Sequence, residues 1–267
     1  MIFVRDKGRM CNNILQYGHM YAWGREHGRS TMSMRFAYKY QYFYICDTAY
    51  HNFPIYLMAK MGSKLGLLPI ASFDDVNTDV SKAEKQLLCH RYVIAEGWYA
   101  RWYDLFLKYK QEIINLFAFN ESIEQSITPL LDDKLRLGVH IRRGDYATFQ
   151  GGRFYYTDEQ YIDIIKQFLS LHPQQQVHIY ICGNDPKLDK DLFTSSLSNC
   201  QVTFPQGNPG EDLCLLSHCD YLIGAPSTFS LVAAMYRDLP LYWIEDATKP
   251  LSSEAFKHFD YLFQHIY

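Results

Sequence analysis

The stretch of sequence with the clearest chemical potential is LRLGVHIRRGDYATF, at residues 135–149. An apolar segment typical of a buried strand ends there in Arg142 and Arg143, followed by a glycine and Asp145. A guanidinium group binds phosphate oxygens through two parallel hydrogen bonds, so arginines at a strand end favour a site for an anionic ligand. The same residues are compatible with a surface arginine pair bridged to Asp145, and the pattern alone leaves both interpretations open.

Two other polar segments follow apolar strands in the same half of the chain. Gly183, Asn184 and Asp185 come after VHIYIC, and Ser227 and Thr228 come after DYLIGAP. Ligands of an open parallel sheet bind beyond the carboxyl ends of its strands, and a helix that begins at Ser227 would offer N–H groups and a positive dipole. We therefore predict a diphosphate site at this edge of the sheet.

Strands and helices alternate along the second half of the chain, which predicts a Rossmann-like α/β domain with a parallel sheet. Thr157 and Gln160 have the spacing of a capping box, and Asp185 with Pro186 is the predicted start of another helix. Strands are predicted at 135–141, 177–182, 200–204, 220–225 and 240–244, and helices at 157–169, 184–193, 210–219 and 227–239.

The first half of the chain is less regular. We predict strands at 1–4 and 29–36, a helix over 11–28 that is capped by Asn12, and one long amphipathic helix over 101–119. The polar stretch at 121–134 is the predicted junction. The chain is accordingly divided into an N-terminal α/β domain at 1–133 and a C-terminal Rossmann-like domain at 134–267.

The composition limits the class of protein. The chain has 267 residues, 48% of them apolar and 21% charged, with a net charge of −3, which indicates a folded protein without the basic surface of a nucleic-acid partner. No apolar run reaches the ~20 residues that span a bilayer, so we expect a cytoplasmic protein, with peripheral membrane attachment left open. Neither a dinucleotide-binding G-x-G-x-x-G motif nor a P-loop is present.

The sequence offers little support for a metal site. Its seven cysteines form no C-x-x-C pair, and several lie in apolar runs, which predicts buried reduced thiols. The Asp189–Asp191 segment has the spacing of a metal-binding D-x-D motif, but it lies within a predicted polar helix, where a solvated face is expected. We predict no metal and no cofactor.

The segment VHIRRGDY at 139–146 resembles the H-x-R-R-G-D-Y motif of the α-1,2-fucosyltransferases of glycosyltransferase family 11, which are distantly related to α-1,6- and protein O-fucosyltransferases. Segments 8–18, 96–119, 179–185 and 211–230 are similar to other parts of that family, and they occur in the same order. The resemblance extends over nearly the whole chain.

This resemblance implies two Rossmann-like domains that face each other across a cleft, the GT-B arrangement, with 1–133 as the acceptor-side domain and 134–267 as the GDP-sugar-binding domain. It also implies an inverting, metal-independent transfer of fucose from GDP-β-L-fucose to a galactoside through an α-1,2 linkage, in surface-glycan synthesis. The expected partners are the nucleotide sugar and a glycan acceptor, without nucleic acid. The oligomeric state is not predicted.

The resemblance also implies roles for individual residues. Arg142 matches the arginine that contacts the β-phosphate, and Asn12 matches an asparagine that faces donor and acceptor, so both are expected to be catalytic. His140 and Asp212 match positions near guanine. A carboxylate can accept hydrogen bonds from the N–H groups of guanine. The expected donor-binding residues are His140, Arg143, Asp145, Asp212, Ser227, Thr228 and Phe229, with Arg143 orienting the loop or pairing with Asp145.

The chain departs from the family pattern at several positions. Cys11 replaces a glycine, Asn13 a glutamine, and Leu231 and Val232 a pair of tryptophans. Two alternatives therefore stay open: transfer of another sugar or through another linkage, and a non-catalytic nucleotide-sugar-binding protein. Neither Asp145 nor Gln150 is assigned as a general base.

Overall fold

The computed structural model of the chain describes residues 1–183 and 185–266. It divides into two compact units, Met1–Glu121 and Ser122–Tyr267. Residues 122–133, which the sequence analysis assigned to the first domain, thus belong to the second unit. The acceptor-side and donor-side roles of the two domains stay predictions.

The first unit contains a four-stranded parallel sheet with the strand order β2-β1-β4-β3. One buried apolar core of this unit includes Phe3, Met32 and Ile94 from the strands of the sheet. The strands are β1 (Ile2–Arg5), β2 (Thr31–Ser33), β3 (Ile70–Ser72) and β4 (Val93–Glu96), and the helices are α1 (Met10–Glu26), α2 (Phe53–Lys64), α3 (Val80–Cys89), α4 (Tyr103–Lys108) and α5 (Lys110–Leu116).

Helix α1 begins two residues before the predicted cap. Arg9 is the N-cap residue, with extended backbone angles, and Asn12 lies within the first helical turn, so the predicted cap at Asn12 is wrong. The helix ends at Glu26, and Gly28 follows in a left-handed conformation with φ +64°, which suits glycine because it has no Cβ.

The single long helix predicted over 101–119 is also wrong, since α4 and α5 are separated at Tyr109. Periodicity indicated continuity, but tertiary contacts hold Tyr109 out of helical geometry, at φ −103° and ψ 13°. The Tyr109 hydroxyl donates to Glu26 over 2.8 Å, and the Arg25 guanidinium lies 5.9 Å from its ring centre. Contacts with α1 therefore override the local helical pattern.

The second unit contains a five-stranded parallel sheet with the strand order β7-β6-β5-β8-β9, as the alternation of elements predicted. The strands are β5 (Leu135–Ile141), β6 (Val177–Gly183), β7 (Gln201–Thr203), β8 (Tyr221–Gly224) and β9 (Leu241–Trp243), and the helices are α6 (Glu121–Ile127), α7 (Asp158–Leu171), α8 (Lys190–Ser196), α9 (Pro209–Ser217), α10 (Thr228–Arg237) and α11 (Phe259–Phe263).

Helices cover both faces of this sheet, and the sequence of β5 shows why. Leu137, Val139 and Ile141 point to one face, where they share a core with the apolar side of α7. On the other face α9 comes close to the strand at Gly138, where a Cβ would lie 2.7 Å from a Leu216 methyl carbon. The glycine in LGVH therefore allows the close packing of α9.

Two local predictions in this unit are wrong. Asp189, not Asp185, caps α8, and it does so by accepting from the Leu192 N–H over 2.9 Å. The predicted junction at 121–134 begins with α6, whose Ile123 side chain is buried, so much of this segment is folded structure and not a linker. Asn184, which the sequence analysis placed at the strand end, lies outside the described residues.

The cysteines and the helices agree with most of the sequence expectations. All seven cysteines are free thiols, four of them buried, although Cys89 is exposed on the surface. Across the described part of the chain, no helix combines the length and apolar character that crossing a membrane requires.

Candidate active site

The carboxyl ends of β5 and β8 form the centre of the candidate site in the second unit. His140 on β5 is in register with Gly224 on β8, so the segments after these strands begin side by side. The Tyr146 hydroxyl donates to the Pro226 carbonyl over 2.5 Å, which joins the arginine loop to the turn before α10. The structure thus brings together two of the segments that the sequence singled out.

Arg142 is largely buried in this loop, with 15% of its side chain exposed. Its guanidinium donates to the Asp145 carboxylate over 2.8 Å and lies 5.2 Å from the centre of the Tyr146 ring. Among residues 1–183 and 185–266, its buried Nε has no hydrogen-bond partner. A buried guanidinium with an unused donor is a costly group by itself, and an anionic ligand would satisfy it.

Arg143 occupies a different environment. Its guanidinium donates to Asp158 over 2.6 Å and to Asp185 over 3.2 Å, and its Nε donates to the Tyr156 carbonyl over 2.9 Å. Burial would lower the pKa of Arg143, but the two carboxylates outweigh it and raise that pKa.

Asp145 forms an ion pair with Arg142 over 2.8 Å, and the expected pairing of Arg143 with Asp145 stays a prediction. The donor-binding role of Arg143 stays a prediction. Its geometry favours the other role that the sequence suggested, which is to orient the loop.

His140 lies flat against Phe229, with the ring centres 4.7 Å apart and an angle of 21° between the planes. Burial, and then the charge of Arg142, lower the pKa of His140 to about 3. The imidazole is therefore neutral at physiological pH. It can stack or form neutral hydrogen bonds, but it adds no positive charge for a phosphate.

Ser227 caps α10 as the sequence predicted, by accepting from the Phe229 N–H over 3.1 Å. The hydroxyl of Ser230 donates back to the Ser227 carbonyl over 3.1 Å, which further fixes the turn. Thr228 opens the helix and is partly exposed. The first turn of α10 can therefore present backbone donors and a positive dipole to an anion, next to the loop that carries Arg142.

Asp212 lies in the first turn of α9, close to β6, which is the strand beside β5 in the sheet. Its carboxyl forms a hydrogen bond with Cys182, which is the register partner of His140 on β6. Burial, followed by the negative charge of Glu211, raises the pKa of Asp212 to about 7, although the Cys182 hydrogen bond acts in the opposite direction. This carboxyl therefore changes charge near neutral pH.

The titration of Asp212 predicts a pH-dependent affinity for a guanine nucleotide. Only the ionised carboxylate can accept hydrogen bonds from both N–H groups of guanine. Below pH 7 the Asp212 carboxyl of the free protein is mostly protonated, so it must lose that proton before it can bind guanine in this way. The association constant for GDP is expected to rise by about tenfold per pH unit up to about pH 7 and then to level off. Titration calorimetry across this range measures the effect.

The variant Asp212→Asn is the control for this experiment, because it removes the titrating carboxyl and leaves the ionisation of the diphosphate itself. Its affinity for GDP should be lower than that of the wild type above pH 7 and should show a smaller pH dependence. Identical pH profiles for the two proteins would remove Asp212 from the binding site.

Asn12 lies in the first unit, in the first turn of α1, and its amide packs against the preceding loop. A Cβ at Gly8, which has φ +89°, would lie 2.7 Å from the Asn12 Nδ2 atom. Glycine at position 8 therefore lets the loop approach Asn12 closely. The catalytic role of Asn12 stays a prediction.

One group of side chains in the second unit has metal-ligand chemistry that the sequence analysis missed. The ligand atoms of Glu124 on α6 and of Cys214 and His218 on and after α9 lie within 4.8 Å of one another. His218 Nε2 is 3.5 Å from Glu124, and Nδ1 is 2.9 Å from the Cys214 carbonyl. The contacts between His218, Glu124 and the Cys214 carbonyl account for this arrangement without a metal, and the prediction of a metal-free protein stays a prediction.

Sequence reasoning also missed two residues that support the site. Tyr146 fixes the arginine loop to the Pro226 carbonyl, and Asp158 holds Arg143 in place. Tyr146 is part of the RRGDY motif, which gave a signal. Asp158 directly follows the Thr157 cap. The sequence alone therefore indicated only a favourable negative charge at the start of a helix.

One family of known proteins matches the part of the sequence that contains this site. The sequence model of glycosyl transferase family 11 matches residues 101–238, which include the arginine loop, α9 and the start of α10. The match covers more than half of the chain, and the protein therefore belongs to glycosyl transferase family 11. It is a glycosyltransferase, as the sequence predicted. No curated protein sequence has a significant match to the chain.

Solved structures of fucosyltransferases share the fold. An Arabidopsis thaliana FUT1 mutant in complex with GDP has a TM-score of 0.65 at 11% identity, covering 96% of this chain and 73% of its own. POFUT1 with GDP-fucose has a TM-score of 0.60 at 11% identity, covering 89% and 94%. NodZ α-1,6-fucosyltransferase soaked with GDP-fucose has a TM-score of 0.55 at 11% identity, covering 96% and 97%. These similarities confirm the predicted α/β fold class.

Proposed function

We propose that this glycosyltransferase is an inverting fucosyltransferase that uses GDP-β-L-fucose and forms an α-1,2 linkage to a galactoside acceptor in surface-glycan synthesis. The observation that carries the proposal is the position of Arg142, whose largely buried guanidinium belongs to a loop bonded through Tyr146 to the turn before α10. A fixed cation beside helix N–H donors is a combination that suits a diphosphate.

Arg142 would act on the leaving group. When the bond between fucose C1 and the β-phosphate oxygen breaks, negative charge develops on the phosphate, and the acceptor hydroxyl oxygen attacks C1 from the opposite face and releases its proton to solvent. A guanidinium that is already fixed by Asp145 and Tyr146 stabilises that charge without reorganisation. The reaction needs no metal in this scheme, because the arginine and the helix dipole supply the positive charge.

Asp212 would select the base of the donor. Its carboxylate can accept from the ring N–H and the exocyclic amine of guanine, whereas adenine offers no matching pair of donors. The stacked pair of His140 and Phe229 lies between this carboxyl and the phosphate side of the site, because His140 is in register with Cys182 on one side and Gly224 on the other.

The positions at which the chain departs from the family are compatible with an active enzyme. Leu231 and Val232, in place of tryptophans, are fully buried in α10, and Cys11 is buried in α1. These side chains fill cores. None of these substitutions removes Arg142, Asp212 or Ser227.

The experiment that tests the proposal is a transfer assay with the purified chain. GDP-fucose, GDP-mannose and UDP-galactose are each supplied with a panel of galactosides and non-galactosides, and the linkage of the product is determined by NMR. The proposal predicts transfer from GDP-fucose to O2 of galactose. Transfer of mannose, or another linkage, would retain a guanosine-linked donor but contradict the proposed reaction. GDP binding without any turnover would indicate a non-catalytic binder.

A further inference from the structure

Helix α2 of the first unit carries apolar side chains on its solvent-facing side, where an amphipathic helix usually carries polar ones. Phe53, Leu57 and Met61 recur at intervals of four residues, and Met58 and Leu65 lie beside them on the same side. Met58 is 66% exposed and Leu65 67% exposed. A contiguous exposed apolar surface of this kind marks a contact with another apolar phase or molecule.

The inward side of α2 is well anchored, so the exposure does not come from a poorly packed helix. Ala59 is buried, and Ile55 and Tyr56 pack on the core that Met32 and Ile94 form over the sheet. Asn52 caps the helix by accepting from the Ile55 N–H over 3.1 Å. The outward apolar side chains therefore stand on a fixed helix.

The loop after α2 extends the apolar surface. Leu67 is 73% exposed, next to Gly66, which has φ +69°. Leu68 turns inward and packs against the same core as Ala59. The helix and this loop together offer exposed side chains at Phe53, Leu57, Met58, Met61, Leu65 and Leu67, which we call the α2 surface.

The segment that carries the α2 surface contains basic but no acidic side chains. No aspartate or glutamate occurs between Asp47 and Asp74, although the whole chain carries a net charge of −3. Lys60 and Lys64 lie at one edge of the exposed helical face, and both are exposed. Lysines can extend along apolar side chains toward a charged surface, and each contributes to binding at an anionic membrane.

We propose that the α2 surface docks the protein on an anionic lipid bilayer. The helix lies in the plane of the interface, its apolar face enters the boundary between headgroups and acyl chains, and Lys60 and Lys64 contact the acidic headgroups. The basic edge favours this occupant over a second copy of the chain, because a symmetric contact would bring like charges together. The inference is independent of the donor and of the linkage.

Flotation with lipid vesicles tests the proposal on the full chain. Vesicles of phosphatidylcholine mixed with phosphatidylglycerol should retain the protein, and vesicles of phosphatidylcholine alone should retain it much less. Met58→Gln combined with Met61→Gln and Leu65→Gln should weaken binding to the mixed vesicles by at least about tenfold, because these side chains would supply the inserted apolar area. Lys60→Glu with Lys64→Glu should weaken it by about fivefold or more for each lysine.

Val76→Gln is the matched control, because Val76 is 71% exposed in the same unit but lies outside the α2 surface, so its binding should be unchanged. All of these residues are exposed, so every variant is expected to keep the circular dichroism spectrum of the wild type, which reports correct folding without any assay of activity. Absence of binding to mixed vesicles, or undiminished binding by the triple glutamine variant, would overturn the proposal. The proposal would also be overturned if the wild-type protein formed a dimer without binding vesicles and the triple glutamine variant were a monomer.

Discussion

Arg142→Ala is expected to lower the turnover of GDP-fucose by about 10²–10³-fold, which corresponds to about 3–4 kcal/mol of lost transition-state stabilisation. The variant removes the guanidinium that Asp145 and Tyr146 hold at the end of β5. Because the charge on the β-phosphate grows as the glycosidic bond breaks, the loss should appear mainly in kcat and less in the affinity for intact GDP-fucose, whereas the affinity for the product GDP, which carries the full charge, should fall as well. Steady-state kinetics and GDP calorimetry on the same preparations measure these effects.

Two controls belong to this measurement. Arg142→Lys retains the charge but not the planar fork and should recover only part of the activity. Arg237→Ala removes an exposed arginine at the far end of α10 and should leave kcat unchanged. If Arg142→Ala turned over the donor at the wild-type rate, Arg142 would have no part in catalysis.

Arg143→Ala is expected to lower the free energy of unfolding by about 3–5 kcal/mol, in contrast to its neighbour. Arg143 is 5% exposed, and its removal leaves the carboxylates of Asp158 and Asp185 without the guanidinium that they share. Urea denaturation, followed by circular dichroism, measures the change.

The double variant Arg143→Ala with Asp158→Asn is the control for the buried charge. It should recover part of the lost stability, because it removes one of the two carboxylates that Arg143→Ala leaves unpaired. A variant Arg143→Ala with wild-type stability but greatly weakened GDP binding would instead show that Arg143 is a direct donor contact, as the resemblance to the family implied.

The difference between the two arginines shows how far the sequence determines the site. The strand LRLGVHI and the Ser227 cap of α10 were predicted correctly, whereas the anion-binding role of the loop after β5 stays a prediction. The sequence does not say which arginine faces inward. That depends on Asp158 and Asp185, which approach Arg143 from the starts of other segments after folding.

The errors in the helices have the same origin. The amphipathic pattern over 101–119 predicts one helix, but the contact of Tyr109 with Glu26 interrupts it. Proline after Asp185 predicts a helix start there, yet Asp185 is engaged by the Lys187 N–H and by Arg143, and α8 begins after Asp189. Local propensity determined the type and order of the elements, whereas long-range contacts determined where they end.

A crystal structure of the protein soaked with GDP tests the central claim most directly. The account predicts the diphosphate beside the first turn of α10, with the Arg142 guanidinium within about 2.7–3.2 Å of a β-phosphate oxygen, and the guanine edge on the Asp212 carboxylate. GDP bound away from the carboxyl ends of β5 and β8, or Arg142 still paired only with Asp145 while the phosphates lie elsewhere, would contradict it.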